Sequence, residues 1–288
     1  MRAFALLPLL LLACDPADKD DTASLPTDSR GDTQSTSGPD IDYPTPVAYW
    51  PLDDADVNGD TVADRVGDLD GTLAGTISEG DAVVKQGRLL NGQDEWIAFG
   101  DVLDEVFAGA DKAFSLAFWA RPADPALATL MVKTADFACV PQEDNRQWST
   151  YLEEDGSPQF VYQPLDTNGQ IVGGEHEISA DSWSHFVFTY DGSVDTDALE
   201  RVTFVVDGVT LNKTSTHSAL FPLDIADGPA HLSFGIRLSS QGLPCTENGI
   251  VPFAGGVDEI AIWEVALTDD QARSVHARGA AGYGLLAE

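Results

Sequence analysis

The sequence predicts an all-β protein, a two-sheet jelly-roll sandwich with a short C-terminal helix. Three observations carry that prediction. From Val47 onward, short apolar or alternating runs recur at close intervals, broken by Gly, Asp, Asn and Pro. The runs are rich in Val, Phe, Trp and Tyr, which suit a pleated, half-buried surface. Only two stretches carry helical signals. Many strands with few helices mean layered sheets, because each sheet must bury one face against another.

The first 45 residues stand outside that pattern. MRAFALLPLLLLAC holds one arginine and then a run of about eleven apolar residues. A bilayer span takes roughly 20, so residues 1–13 are expected to be a signal peptide. Ala13 followed by Cys14 resembles the lipobox of bacterial lipoproteins. That resemblance implies cleavage before Cys14, lipidation of Cys14, and a chain lipid-anchored in the bacterial cell envelope, facing the periplasm or the exterior. Residues 14–45 are acidic, Ser/Thr-rich and almost free of apolar side chains, which reads as a disordered tether. They include Arg30-Gly31-Asp32, similar to an integrin-binding tripeptide, although three-residue matches are common by chance.

Residues 46–288 are expected to form one domain. In order, VAYWPL, EWIAFG, AFSLAFWARP, TLMVKT, QFVYQ, SHFVFTYD, RVTFVVDG, HLSFGI and GVDEIAIW read as strands. TYDG and VVDGV supply tight-turn chemistry between them. DVLDEVFAGA is a short helical stretch. LTDDQARSVHARG is the C-terminal helix: Thr268 is its N-cap, two aspartates follow in the first turn, and Gly279 ends it.

The charge is the outlier. Forty-eight acidic against 15 basic residues give −33, which repels nucleic acid and anionic membranes. It makes sulfated glycans poor partners and suits divalent cations. The segment WPLDDADVNGDTVADRVGDLDG concentrates that acidity. Asp54, Asp56, Asn58 and Gly59 give the first half of a helix–loop–helix calcium loop, but its twelfth position is Arg65 where a bidentate carboxylate is required. Beyond Cys14 the chain has Cys139 and Cys245. Outside the cytoplasm two remaining cysteines most simply form one disulfide; free thiols or a metal pair are the alternatives.

Four phrases, in order, resemble the LamG-like jelly-roll family of the concanavalin A-like lectin and glucanase superfamily. They are YWPLDD…GDTVADRVGDLDGTL, DSWSHFVFTYDG, RVTFVVDGV and FAGGVDEIAIWEVALTDDQARSVHARG. The likeness runs from about Val47 to Gly279. It implies a structural calcium ion tying the first loop to the closing strand, with ligands from Asp64, the carbonyl near Gly71, Asp258 and, more weakly, Asp68. The chemistry agrees, since calcium takes 6–8 oxygens from carboxylates and carbonyls. The competing reading is that Asp64 and Asp258 are turn acceptors without metal.

The resemblance favours a non-catalytic, surface-anchored binding module, most plausibly lectin-like. Its partner would be a glycan or, alternatively, a cell-surface protein, as for an adhesion or structural lipoprotein. Trp148, Tyr151 and Tyr162 flank a loop-rich region and are the candidate sugar-stacking rings, against the blander reading of packed core. A glycoside hydrolase is the less favoured alternative. The superfamily's E-x-D-x-x-E signature is nearest to DEIAIWE, where Ala261 replaces the central aspartate. Glu259 and Glu264 point to opposite faces of an unbulged strand, so they cannot converge as a catalytic pair. His185, beside Trp183 in the second phrase, is expected to hydrogen-bond structurally rather than act as a base. No H-E-x-x-H or G-x-S-x-G motif is present.

Overall fold

The computed structural model describes residues 38–135, 145–162, 170–195, 197–217, 224–245 and 251–287. The expected signal peptide, Cys14, Arg30-Gly31-Asp32 and Cys139 lie outside the described residues.

The first strands are β1 (Ala48–Trp50), β2 (Val57–Asn58), β3 (Thr61–Val62), β4 (Gly71–Ala74), β5 (Ser78–Asp81), β6 (Gln86–Asn91) and β7 (Trp96–Gly100). A four-residue helix α1 (Asp104–Phe107) leads to β8 (Ala113–Pro122), β9 (Ala128–Ala135), β10 (Asn145–Leu152), β11 (Pro158–Tyr162) and β12 (Gln170–Gly174). Then follow β13 (Ser184–Asp191), β14 (Val202–Val206), β15 (Val209–Thr210), β16 (Lys213–His217), β17 (Leu232–Phe234) and β18 (Ala254–Trp263). Helix α2 (Asp269–Ala280) ends the regular structure.

The strands form two antiparallel sheets. The eight-stranded sheet runs β15-β14-β13-β8-β18-β6-β5, with β1 also on β18. The ten-stranded sheet runs β16-β12-β11-β10-β9-β17-β7-β4-β3-β2. This is the sandwich the sequence predicts, with its short C-terminal helix in place.

The central pair β8 and β13 shows why the register is fixed. Phe118 faces Phe186 and Leu116 faces Phe188, all turned into the space between the sheets. Ala117 faces Val187 on the outer surface. A slip by one residue would exchange those two sets, so the core specifies the pairing. The other sheet meets them with Leu130, Trp148, Phe160 and Phe234. Each such side chain, fully buried, contributes about 1.5–3 kcal/mol.

The outer surface of the eight-stranded sheet is also apolar. Tyr49, Val187, Val205, Ala261 and Trp263 pack there with Leu267, Ala272, Val275 and Leu285 from the C-terminal segment. Helix α2 therefore lies on this face. Thr268 caps it as expected, in a full capping box with Gln271. The helix continues through Gly279 to Ala280. Gly279 is required for a different reason than ending the helix: a Cβ there would come within 2.5 Å of the Trp119 ring nitrogen, so only glycine allows this approach.

The domain also starts earlier than its composition suggests. Tyr43 is buried, packs edge-on against Trp263 and donates its hydroxyl to the Leu285 carbonyl at 2.8 Å. Trp263 Nε1 donates to the Pro44 carbonyl and Arg278 Nη1 to that of Pro39. The compact unit spans Ser37–Glu288, so the last part of the expected tether belongs to the fold. Among the described residues no helix is long and apolar enough to cross a membrane.

Candidate functional site

The outer face of the ten-stranded sheet differs from its counterpart. Along β10, Leu152 points inward to the core, while Ser149 and Tyr151 point outward. The outward residues of β11 and β12 beside them are Gln159, Val161 and Ile171. With Thr129, Glu153, Arg237 and Val251 they line a cavity of about 250 Å3. The Thr129 N–H donates to the Val251 carbonyl at 2.8 Å, which holds that lip against β9. The Arg237 guanidinium lies over the Tyr151 ring, 4.9 Å from its centroid.

The three aromatic candidates separate here. Tyr151 lines the cavity, but with one face covered by Arg237 it is a wall rather than a bare stacking platform. Trp148 packs its ring among Phe107, Phe114 and Phe160 in the core, although it also borders the cavity. Tyr162 is fully buried and its hydroxyl donates to the Ala198 carbonyl. The correction for Trp148 and Tyr162 follows from cross-strand pairing: they face each other directly, and both side chains point inward. Sequence reasoning missed Gln159, Glu153 and Arg237, which come from segments of unremarkable polarity.

Two buried polar atoms of β10 stand out. Gln147 is fully buried; its Nε2 donates to Asp104 and to the Gly228 carbonyl, while its Oε1 has no partner. Trp148 Nε1 is likewise buried without an acceptor. Burying such groups unpaired costs about 1–3 kcal/mol each.

A second cavity, of about 400 Å3, lies at the first loop and the closing strand. Tyr49, Asp53, Asp56, Arg65, Lys85 and Glu259 are among its lining residues. Here β18 carries a bulge between Asp258 and Ala261, with Glu259 in the left-handed region at φ 53°. The bulge corrects the expectation of a regular strand. It buries Glu259 beside Tyr49, whose hydroxyl donates to Glu259 Oε2 at 2.7 Å. Glu264 is exposed, so the two glutamates are still not brought together.

Burial pushes the Asp258 carboxyl up from 3.8 to about 7, against the opposing pull of the Val84 and Val83 N–H donors. Burial, then the neighbouring Asp258, raises Glu259 well above the usual carboxylate range.

The expected calcium ligands do not fit a shared metal site. Asp64 Oδ1 accepts from Tyr49 and Val66 N–H groups, and its Oδ2 from Gly67 and Leu69. Four donors surround that carboxylate, which leaves no lone pair directed at a cation. Asp258 Oδ2 serves Val83 and Val84, while its Oδ1 has no partner. Asp68 is exposed, and Gly71 sits in β4 opposite Val62. Among the described residues no three His, Cys, Asp or Glu are grouped to hold a metal. Arg65, at the position where a calcium loop needs a carboxylate, pairs with Asp56 and supplies positive charge from the chain itself.

Two further expectations are placed as follows. The His185 ring packs on Trp119 at 4.8 Å and faces His276; its Nδ1 has no hydrogen-bond partner, so the structural bonds run through its backbone to Asp207. Cys245 is buried, with its N–H donating to the Arg237 carbonyl; the pairing expected for it involves Cys139, outside the described residues.

A comparison with curated proteins finds no match. Among solved structures, domain 4 of AbnA, a GH43 extracellular arabinanase from Geobacillus stearothermophilus in complex with arabinotriose, is 20% identical. It aligns over 81% of this chain and 98% of its own with a TM-score of 0.50. The binding domain of botulinum neurotoxin serotype G is 13% identical over 81% of this chain and 50% of its own, with a TM-score of 0.56. A botulinum neurotoxin type C structure, described as entering cells through two ganglioside molecules, is 12% identical over 81% and 50%, with a TM-score of 0.55. The chain thus spans about half of each neurotoxin chain, and at these identities the likeness is one of fold alone. The sequence match is firmer: the model of a family described as the concanavalin A-like lectin/glucanases superfamily covers residues 91–273, well over half of the chain, and the protein belongs to that superfamily.

Proposed function

We propose that this domain is a non-catalytic binding module that holds a carbohydrate in the cavity on the outer face of the ten-stranded sheet. The observation that carries the reading is the lining itself. An apolar floor of Val161 and Ile171 is ringed by Tyr151, Arg237, Gln159 and Glu153. Sugars present apolar C–H faces and a rim of hydroxyls, and a concave site with a few placed polar groups matches that pattern. The arabinotriose complex of one neighbour and the gangliosides named for another support a glycan over other small molecules.

The test is a glycan array probed with the soluble chain from residue 15, which keeps the Pro39–Pro44 contacts. Binding to a defined sugar class is expected, and Tyr151→Ala should weaken it about tenfold or more, as for a central interface aromatic. Silence across the array from a folded protein would sink the carbohydrate reading and turn attention to a protein partner.

In this proposal the module works outside the cytoplasm, anchored through a lipid on Cys14. Mass spectrometry of the membrane fraction tests that: an unmodified Cys14 or an uncleaved leader rejects it. The same compartment favours a Cys139–Cys245 disulfide. Closing a loop of about 100 residues contributes up to about 4–5 kcal/mol in the chain-entropy account. Reductant should therefore lower the melting temperature, and an unchanged melt with two titratable thiols would exclude the bond.

A further inference from the structure

In an Asn-Gly pair the glycine nitrogen can approach the preceding side-chain amide closely, because no Cβ shields it. Four of the six asparagines in this chain are followed by glycine: Asn58, Asn91, Asn168 and Asn248. The last two lie outside the described residues. Asn58 and Asn91 are both exposed, and they differ in what holds them. Asn91 ends β6 with its side chain tied down. Its Oδ1 accepts from the Gln93 and Asp94 N–H groups, and its Nδ2 donates to Asp94 Oδ1 at 2.7 Å. Gly92 is packed as well, since a Cβ there would come within 2.6 Å of the Ala254 side chain on β18. The Asn91 carboxamide reaches the Gly92 nitrogen only by giving up those three bonds.

Asn58 has no such restraint. It ends β2, in a hairpin with β3 that holds only two residue pairs, Val57 with Val62 and Asn58 with Thr61. The hairpin stands at the edge of the ten-stranded sheet. Gly59 is the first residue of its two-residue turn, at φ 67°. Among the described residues, no hydrogen bond holds the Asn58 side chain and nothing accepts from the Gly59 N–H. The space beside Gly59 is open too: no atom beyond its neighbours in the chain comes within 4 Å of where a Cβ would stand. The tip of so short an edge hairpin is among the cheapest parts of a fold to open locally.

We propose that Asn58 is a site of spontaneous deamidation, converted to aspartate and isoaspartate while the fold keeps Asn91 intact. The Gly59 backbone nitrogen loses its proton to hydroxide and attacks Asn58 Cγ. The new C–N bond closes a five-membered succinimide as the Cγ–Nδ2 bond breaks, and Nδ2 takes a proton from water and leaves as ammonia. Water then adds to one of the two succinimide carbonyls. Opening at Cγ restores the normal backbone and leaves aspartate; opening at the backbone carbonyl leaves isoaspartate. One water is consumed and one ammonia released, with no oxidant and no second protein. Each event adds one negative charge to a chain already at −33. The isoaspartyl form also lengthens the backbone of a hairpin that has only two residue pairs.

The experiment ages the chain from residue 15 at mildly alkaline pH, well below its melting temperature, and maps the products after tryptic digestion. Residues 31–65 and 89–112 form separate tryptic peptides with Asn58 and Asn91 as their only asparagines. Fragment masses locate the exchange of NH2 for OH, and chromatography separates aspartate from isoaspartate. Asn58 should convert about tenfold or more faster than Asn91, a barrier difference of about 1.4 kcal/mol or more. In denaturant at the same pH the two rates should draw together, because the bonds that protect Asn91 are gone. Equal rates in the folded protein, or a faster Asn91, would overturn the proposal. A gap that persists undiminished in denaturant would overturn it as well, placing the cause in the flanking residues and not in the fold. An Asn58 that converts only once the chain is unfolded would show that the hairpin protects it, and would reject the proposal equally.

Discussion

The two sheets present their outer faces to different fates. On the eight-stranded sheet the outward positions are Tyr49, Ala117, Val187, Val205, Ala261 and Trp263, and they are covered by α2 together with Tyr43, Leu267 and Leu285. On the ten-stranded sheet the outward positions include Thr129, Ser149 and Gln159, and among the described residues they line a cavity. Both sheets show the same inward alternation, so the core does not distinguish them. The difference lies in every second residue of a few strands. Small apolar outward residues such as Ala117 and Ala261 let a helix approach closely and reward its burial. On the other sheet Val161 and Ile171 also face outward, but interrupted by Thr129, Ser149 and Gln159 they offer a helix no continuous apolar surface.

The comparison can be broken most forcefully at the covered face. Val275→Asp places a charge in the fully buried seam between α2 and the sheet. It should cost roughly 3–5 kcal/mol and lower the melting temperature by about 10 °C or more. A melt shifted by only a degree or two would mean that α2 is not held there.

A second prediction concerns pH, through the bulged strand beneath the same covered face. A carboxyl whose folded value is raised binds its proton more tightly when folded. Its contribution is therefore fully present below the unfolded value near 4 and is lost as pH rises toward about 7. Stability should fall across that window, by an amount on the order of a few kcal/mol. Asp258→Asn should flatten the fall in chemical denaturation measured at several pH values; an identical slope in the variant would reject Asp258 as its source.

The smallest expected effect sharpens the contrast from the open side. Gln159→Ala changes a half-exposed outward residue of the cavity and should move stability by no more than about 0.5 kcal/mol. Its effect should appear in ligand affinity alone. A large loss of stability would show that the cavity face is structural after all.

The strands legible in the sequence are those whose inward residues are large and apolar, such as AFSLAFWARP in β8 and SHFVFTYD in β13. Strands such as β6 (QGRLLN), β10 (NRQWSTYL) and β12 (QIVGG) were not legible, because glycine and polar residues dilute the alternation and only pairing with neighbours defines them. The site suffers from the same dilution, since β10 and β12 form much of it. Tyr151 was recoverable as an aromatic near the site, but parity alone does not say which of Trp148, Tyr151 and Tyr162 faces out. That is decided by the register of β10 against β11, a long-range fact. Arg237 reaches Tyr151 from more than 80 positions away, which no local pattern encodes. The acidic first loop misled for a physical reason as well: aspartate serves equally well as a metal ligand and as an acceptor for turn N–H groups, and Asp64 does the latter.

Arg278 reaches the Pro39 carbonyl with one arm of its guanidinium and the Gly284 and Leu286 carbonyls with the others, gathering both ends of the described domain beside α2. Either end can therefore serve as a handle. A dye, a chip surface or a fused partner attached there meets the back of the sandwich, and the cavity on the far sheet stays turned toward whatever flows past.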